Sequence, residues 1–264
     1  METATAPVER STSADAYTTV MTTLAEELEA LSPEQWRLPT ECTGWSVRDM
    51  AGHLLGAQED LLRIRTVLRR RARGRRRYPH LSLLDAANQV QVQDHAALGT
   101  AELCRQYRAN IALVSRRVRR FPGILAGVPV QKGMAPANSA LRLGYLFNVI
   151  YLRDAWMHGA DLARATGNPR RATAADGLLL AHVLRDLATE WGGGDAVELV
   201  LPGEPAATVG LGGLAEGRPP VARLQAPALE LCRSLSGRVP ESGITTVAGD
   251  PGQARRLAAV RILF

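Results

Sequence analysis

Two imidazoles and a carboxylate are the side chains of this chain best suited to hold a cation. Asp154 and His158 stand four residues apart in a stretch of helical periodicity, so one turn of helix carries both on one face. His53 sits among Ala51, Gly52, Leu54 and Leu55, a pattern that points to a buried helix face. If these two helices pack together, His53, Asp154 and His158 converge. Two histidines and one carboxylate are the ligand set of many catalytic zinc sites and of non-haem iron sites, and three protein ligands leave a position open for water or substrate. The same spacing also serves as an ordinary hydrogen-bonded core pair, and a single helical histidine is commonly a satisfied interior residue. The spacing by itself leaves both readings open.

Several neighbours bear on that constellation. Asp161, three residues after His158, is placed either to accept a hydrogen bond from that imidazole or to cap a neighbouring helix. Asn148, six residues before Asp154, is a candidate pocket-lining side chain. Cys42 lies in the loop ahead of the His53 helix with no base paired to it in sequence, and reads as a loop-packing residue rather than a nucleophile. Trp36, Trp45 and Trp156 read as core residues, while His80, His95 and His182 carry no assigned role.

Helical periodicity dominates the elements that must position these groups. Tyr17, Val20, Met21, Leu24 and Leu28 mark a first helix over residues 13–31, after a frayed tail over residues 1–12. Ser46 and Asp49 form a capping box that opens the His53 helix. Its buried stripe is Ala51, Leu54, Leu55, Leu61, Leu62 and Ile64, and it runs unbroken into an arginine cluster. Further helices are expected over 81–97 and 100–120, then a loop over 123–138. A long helix over 139–166 carries Asp154 and His158 and stops at Gly167-Asn168-Pro169. Beyond Pro169 a helix at 172–191 gives way to short strands at 197–201, 207–211, 221–224 and 244–248, with a helix at 227–235. The expected fold is mainly α: a helical metal-binding domain over residues 1–169, followed by a smaller α+β domain over 170–264.

Composition narrows the function classes. With 264 residues, 46% hydrophobic and 22% charged, the chain is not of a disordered type. No apolar run approaches the roughly 18–20 residues that span a bilayer, so no membrane partner is expected, and the N-terminus lacks the pattern of a signal peptide. Three widely spaced cysteines, Cys42, Cys104 and Cys232, make neither a disulfide framework nor a metal knuckle, which suits a reducing, cytoplasmic setting. The net charge of +6 is local: residues 69–77 (RRRARGRRR) hold seven arginines, and without them the balance is 6 − 7 = −1. Seven arginines could neutralise phosphates, but with only Tyr78 as an aromatic neighbour and no helix-turn-helix or finger spacing, a nucleic-acid partner is not expected. The cluster reads as a solvated helix end that can attract an anionic substrate or partner.

Residues 31–55, LSPEQWRLPTECTGWSVRDMAGHLL, resemble the N-terminal signature of the mycothiol-dependent maleylpyruvate isomerase family, part of the wider DinB/YfiT-like metalloenzyme group. Residues 146–167, LFNVIYLRDAWMHGADLARATG, resemble that family's second metal motif, an acid followed four residues later by His. A looser likeness covers residues 231–238 and 247–251. The resemblance implies an N-terminal DinB-like four-helix bundle and a smaller α+β domain. It also implies a divalent metal, usually zinc, held by the residues matching His53, Asp154 and His158. The family often has Glu where this chain has the shorter Asp154. It further implies mycothiol as cofactor, and an arginine of the C-terminal domain in the activity, matched best by Arg238 and next by Arg233.

A cation with two neutral imidazoles and one carboxylate keeps positive charge and favours a bound thiol's thiolate form, the nucleophile that adds to an electrophilic carbon. The main expectation is therefore a thiol S-transferase or thiol-assisted isomerase acting on a small electrophile. A metal-dependent hydrolase on the same scaffold, and a non-catalytic protein using residues 69–77 to meet an acidic partner, are the other readings.

Overall fold

The computed structural model describes residues 9–239 and 243–264. Residues 1–8, which make up most of the expected tail, lie outside the described residues. Two compact units emerge, and each is described by itself.

The helical unit comprises residues 9–126 and Gly144–Ala174. Helix α1 (Arg10–Glu29) buries Tyr17, Val20, Met21, Leu24 and Leu28, the stripe that its periodicity predicts. A loop leads to α2 (Val47–Leu62). Next come α3 (Ile64–Arg77), α4 (Leu83–Asp94), α5 (Thr100–Arg119) and the single turn α6 (Gly123–Ala126). The chain re-enters the unit through α7 (Leu143–Tyr145), a π-helical turn (Leu146–Ile150) and α8 (Tyr151–Thr166), which ends on left-handed Gly167. Helices α1 and α2 each pack against both α5 and α8, which makes a four-helix bundle with the apolar stripes turned inward. Helices α3 and α4 pair with each other, and α4 lies along α2 outside the bundle.

Glycine permits that lateral approach. A Cβ at Gly56 in α2 would stand 2.5 Å from the Gln91 Cβ of α4, and one at Gly74 in α3 would stand 2.6 Å from the Ala86 carbonyl oxygen.

The second unit contains Gly127–Leu143 and Ala175–Phe264. Strands β1 (Pro129–Ala135) and β2 (Ser139–Arg142) form an antiparallel hairpin. Helix α9 (Asp176–Trp191) precedes β3 (Val197–Leu201), β4 (Ala207–Leu211) and β5 (Ala222–Gln225), then α10 (Ala228–Leu235), β6 (Thr245–Gly249) and α11 (Gly252–Ala259). The four-stranded sheet has the order β4-β3-β5-β6, with the central β3/β5 pair parallel and both outer pairs antiparallel. Val197, Leu199 and Leu201 are buried on one face of β3, the period-two pattern of a half-covered strand. A mainly α protein with a helical N-terminal region and a smaller α+β region is what the sequence leads one to expect.

Three local expectations are corrected. The helix carrying His53 does not run on into the arginines: Arg63 is extended (φ −140°, ψ 101°), separating α2 from α3. Ile64, expected in the buried stripe, consequently turns outward and is 50% exposed. Residues 123–138 are not all loop, and Ser139–Arg142 is strand rather than the start of the long helix. There the backbone groups bond across the hairpin, and segments so short show no readable period. Among the described residues no helix is long and apolar enough to cross a membrane.

The close approach at Gly56 makes a prediction. Gly56→Ala should destabilise the chain by about 1–3 kcal/mol through overpacking against Gln91. Gly177→Ala, with no atom within 4 Å of its new Cβ, should instead stabilise by up to about 1 kcal/mol. Denaturant unfolding of both variants checks the contrast.

Candidate metal centre

The site begins with a helix cap. Ser46 Oγ accepts the Asp49 N–H at 3.2 Å, and the Asp49 carboxylate accepts the Ser46 N–H at 3.0 Å, so the expected capping box is formed. This fixes the start of α2 and sets His53 almost two turns in, on a buried face (3% exposed). Asp154 and His158 lie on one face of α8. His53 Nε2 is 3.2 Å from Asp154 Oδ2, and His158 Nε2 is 3.3 Å from Asp154 Oδ1. The imidazole centroids are 5.1 Å apart. One ligand atom from each of the three residues lies within 4.8 Å of the others.

The outward nitrogens of both rings are engaged. His158 Nδ1 is 2.8 Å from Asp161 Oδ2, and His53 Nδ1 is 2.7 Å from Gln91 Oε1. With an acceptor on each Nδ1, both rings can offer the Nε2 lone pair inward, the arrangement that metal-ligating histidines use. The donor set therefore fits a divalent cation. Asp161, with its side chain fully buried, faces His158 Nδ1.

Burial pushes the Asp154 carboxyl up, but the His53 and His158 imidazoles outweigh it and hold the group well below the usual carboxylate range. Burial pulls His158 down, yet Asp154, Cys42 and Asp161 together raise it well above an ordinary imidazole.

Behind Gln91 stands a partner that sequence reasoning missed. Gln91 Nε2 donates to Asp60 Oδ2 at 2.7 Å, and Arg70 NH1 donates to Asp60 Oδ1 at 2.8 Å. Arg70 belongs to the arginine cluster read above as a solvated helix end, but it is only 1% exposed. It also bonds the Gly56 carbonyl, Asp94 and Glu59. The other arginines of the run, Arg69, Arg71, Arg73, Arg75, Arg76 and Arg77, are exposed or half-exposed. A run of like charges carries no mark of the one member that turns inward.

The loop before α2 also contributes more than expected. The half-buried Trp45 ring lies 5.0 Å from the His53 ring and 6.5 Å from that of His158, so it borders the site rather than filling a core. Cys42 Sγ is 3.7 Å from Asp161 Oδ2 and 3.9 Å from His158 Nδ1. Trp45 N–H bonds the Cys42 carbonyl and Thr40 N–H bonds the Trp45 carbonyl, each at 2.9 Å, and Gly44 supplies the left-handed turn (φ +82°). Only the position of this loop just ahead of the Ser46 cap could have flagged it.

The remaining candidates lie as follows. Asn148 is in the π-helical turn, where its Nδ2 donates to the Gly144 carbonyl at 2.7 Å. Trp156 is buried in α8 with Arg170 stacked over it. Arg233 and Arg238 belong to the second unit. Arg233 is 3% exposed and paired with Glu230, while Arg238 follows α10 and is half-buried.

Comparison with known proteins adds to this geometry. A family model described as the mycothiol maleylpyruvate isomerase N-terminal domain matches residues 17–163. Two solved structures share the fold: a crystal structure of the mycothiol-dependent maleylpyruvate isomerase and one of its histidine-to-alanine mutant. Each is 16% identical, with a TM-score of 0.54 over 95% of this chain and 97% of theirs. No curated protein matches the sequence.

The triad predicts a pH signature in the metal-free chain. A raised His158 contributes stability that is complete below the unfolded value near 6.5 and lost as pH rises through the folded value. The depressed Asp154 contributes above its ordinary 3.8, and that part is lost only in strong acid. Wild type should therefore weaken on the alkaline side, and Asp154→Asn should flatten that limb. Unfolding in denaturant across a pH series reads both.

Proposed function

The chain belongs to the mycothiol maleylpyruvate isomerase N-terminal domain family, and on that premise we propose that it is a divalent-metal-dependent enzyme using mycothiol as cofactor. Its reaction is thiol-assisted isomerisation of, or S-transfer to, a small electrophilic substrate in the cytoplasm. The observation that carries this reading is the convergence of His53, Asp154 and His158 on one point inside the bundle. These three would hold the cation, with zinc first in order for a site of two imidazoles and a carboxylate.

When bound, the cation supplies a Lewis-acid site at which a thiol is favoured as thiolate. The chain's own residues do the rest. Asp161 and Gln91 accept from the Nδ1–H groups and keep both Nε2 atoms turned inward. The Trp45 ring shields one side of the imidazoles from water. Asp154 offsets part of the cation's charge and leaves a net positive site for an anionic sulfur. Arg238 is the guanidinium we assign to a substrate or thiol carboxylate, which it can hold by two parallel hydrogen bonds. Arg233, the second match to the family's arginine and paired with Glu230, takes second place. Mycothiol-dependent maleylpyruvate isomerisation, the activity of the structurally similar enzyme, is the first to assay.

Purified protein should carry about one divalent ion per chain, and His53→Ala/His158→Ala should carry none. Turnover of an activated alkene should require both metal and thiol. A folded wild type that takes up no zinc would overturn the proposal, and metal-dependent turnover without thiol would reassign the site to hydrolysis.

A further inference from the structure

We propose that Arg70, Asp60 and Gln91 form a positioning relay that fixes the tautomer of His53, keeping its hydrogen on Nδ1 and its lone pair on Nε2. The inference rests on the reading of His53 as a metal ligand, but its first test does not require metal.

Arg70 can only donate. Its NH1 bonds Asp60 Oδ1 at 2.8 Å and the Gly56 carbonyl at 2.8 Å, its Nε bonds Asp94 Oδ2 at 3.0 Å, and its NH2 reaches Glu59. Burial raises the Asp60 carboxyl, and Arg70 and Gln91 offset that only in part, but the always-charged guanidinium 2.8 Å from Oδ1 pairs with the ionised form. As a carboxylate Asp60 is acceptor-only, so the group facing its Oδ2 at 2.7 Å must be the NH2 of Gln91. The Gln91 carbonyl oxygen therefore faces His53 Nδ1 at 2.7 Å. Two lone pairs cannot face each other at that distance, so Nδ1 bears the hydrogen.

Gln91 has little freedom to turn away. Its main-chain carbonyl accepts from His95 Nδ1 at 2.7 Å, its Cβ lies against Gly56, and its amide is held at both ends, by Asp60 and by His53. On the other side of His53, the Asp154 carboxylate 3.2 Å from Nε2 attracts a hydrogen to that nitrogen. A neutral imidazole has one hydrogen to give. The relay assigns it to Nδ1 and frees the nitrogen that faces the candidate metal position.

The 15N spectrum of metal-free wild type at alkaline pH, with ring nitrogens labelled, reads the tautomer directly. Hydrogen on His53 Nδ1 is expected; hydrogen on Nε2 overturns the proposal. Zinc competition with a chelator then separates a relay from a merely structural cluster. In Asp60→Asn the oxygen stays toward Arg70, so the new NH2 faces Gln91, turns that amide over and drives the His53 hydrogen to Nε2. Zinc binding should weaken by about 10–100-fold. Gln91→Leu removes the amide altogether and lets the ring choose, so its loss should be smaller. A structural role predicts the reverse order, since Gln91→Leu deletes two hydrogen bonds and Asp60→Asn is isosteric. A wild type with the Nδ1 tautomer that fails to bind zinc would refute the metal reading and leave the relay standing. Equal zinc affinity in wild type and Asp60→Asn would refute the relay.

Discussion

Asp154 puts a carboxylate between two imidazoles inside a helical bundle, where an unmatched charge costs several kcal/mol even after relaxation. The surrounding structure meets that constraint. Each oxygen of Asp154 faces one Nε2, and each Nδ1 faces an acceptor of its own. The capped start of α2 sets the depth of His53, and the four-residue step along α8 sets Asp154 against His158. Glycine at 56 and 74 lets α3 and α4 close over the outer side of α2. In this way a polar chain extends from His53 to Arg70 without leaving an acceptor of Asp60 unmet.

The arginine-rich α3 serves two physical ends. Most of its guanidinium groups stay at the surface, and the helix end they occupy is also where cations interact favourably with the helix dipole. Arg70 alone passes under Asp60, Glu59 and Asp94, which gives three carboxylates a common donor. The charge surplus that dominates the composition is thus a surface property with one structural exception.

What the sequence discloses follows the range over which its signals act. Helices of sixteen to twenty residues, such as α1, α2 and α5, repeat their apolar stripe often enough to be read, and the Ser46–Asp49 box is local chemistry. The placing of Asp154 and His158 on one face is likewise a property of a single helix. Arg63 breaks the helix at one residue without glycine or proline to announce it. The β1–β2 hairpin exists through pairing between strands too short to show a period. Trp45, Cys42, Asp60, Gln91 and Arg70 reach the site through tertiary contacts up to 119 positions apart, as between Cys42 and Asp161, and no spacing rule encodes such contacts. The family likeness bridges part of this gap, since residues 17–163 contain both histidines and the carboxylate.

The central claim is that His53, Asp154 and His158 hold one cation with a coordination position left for a thiol. X-ray absorption at the zinc edge of the zinc-loaded protein tests it most directly, before and after mycothiol is added. The account predicts a first shell of nitrogen and oxygen at about 2.0–2.2 Å without thiol, and one new sulfur at about 2.3 Å with it. Sulfur already present without thiol would place the metal on Cys42, and a shell unchanged by mycothiol would contradict the open thiol position.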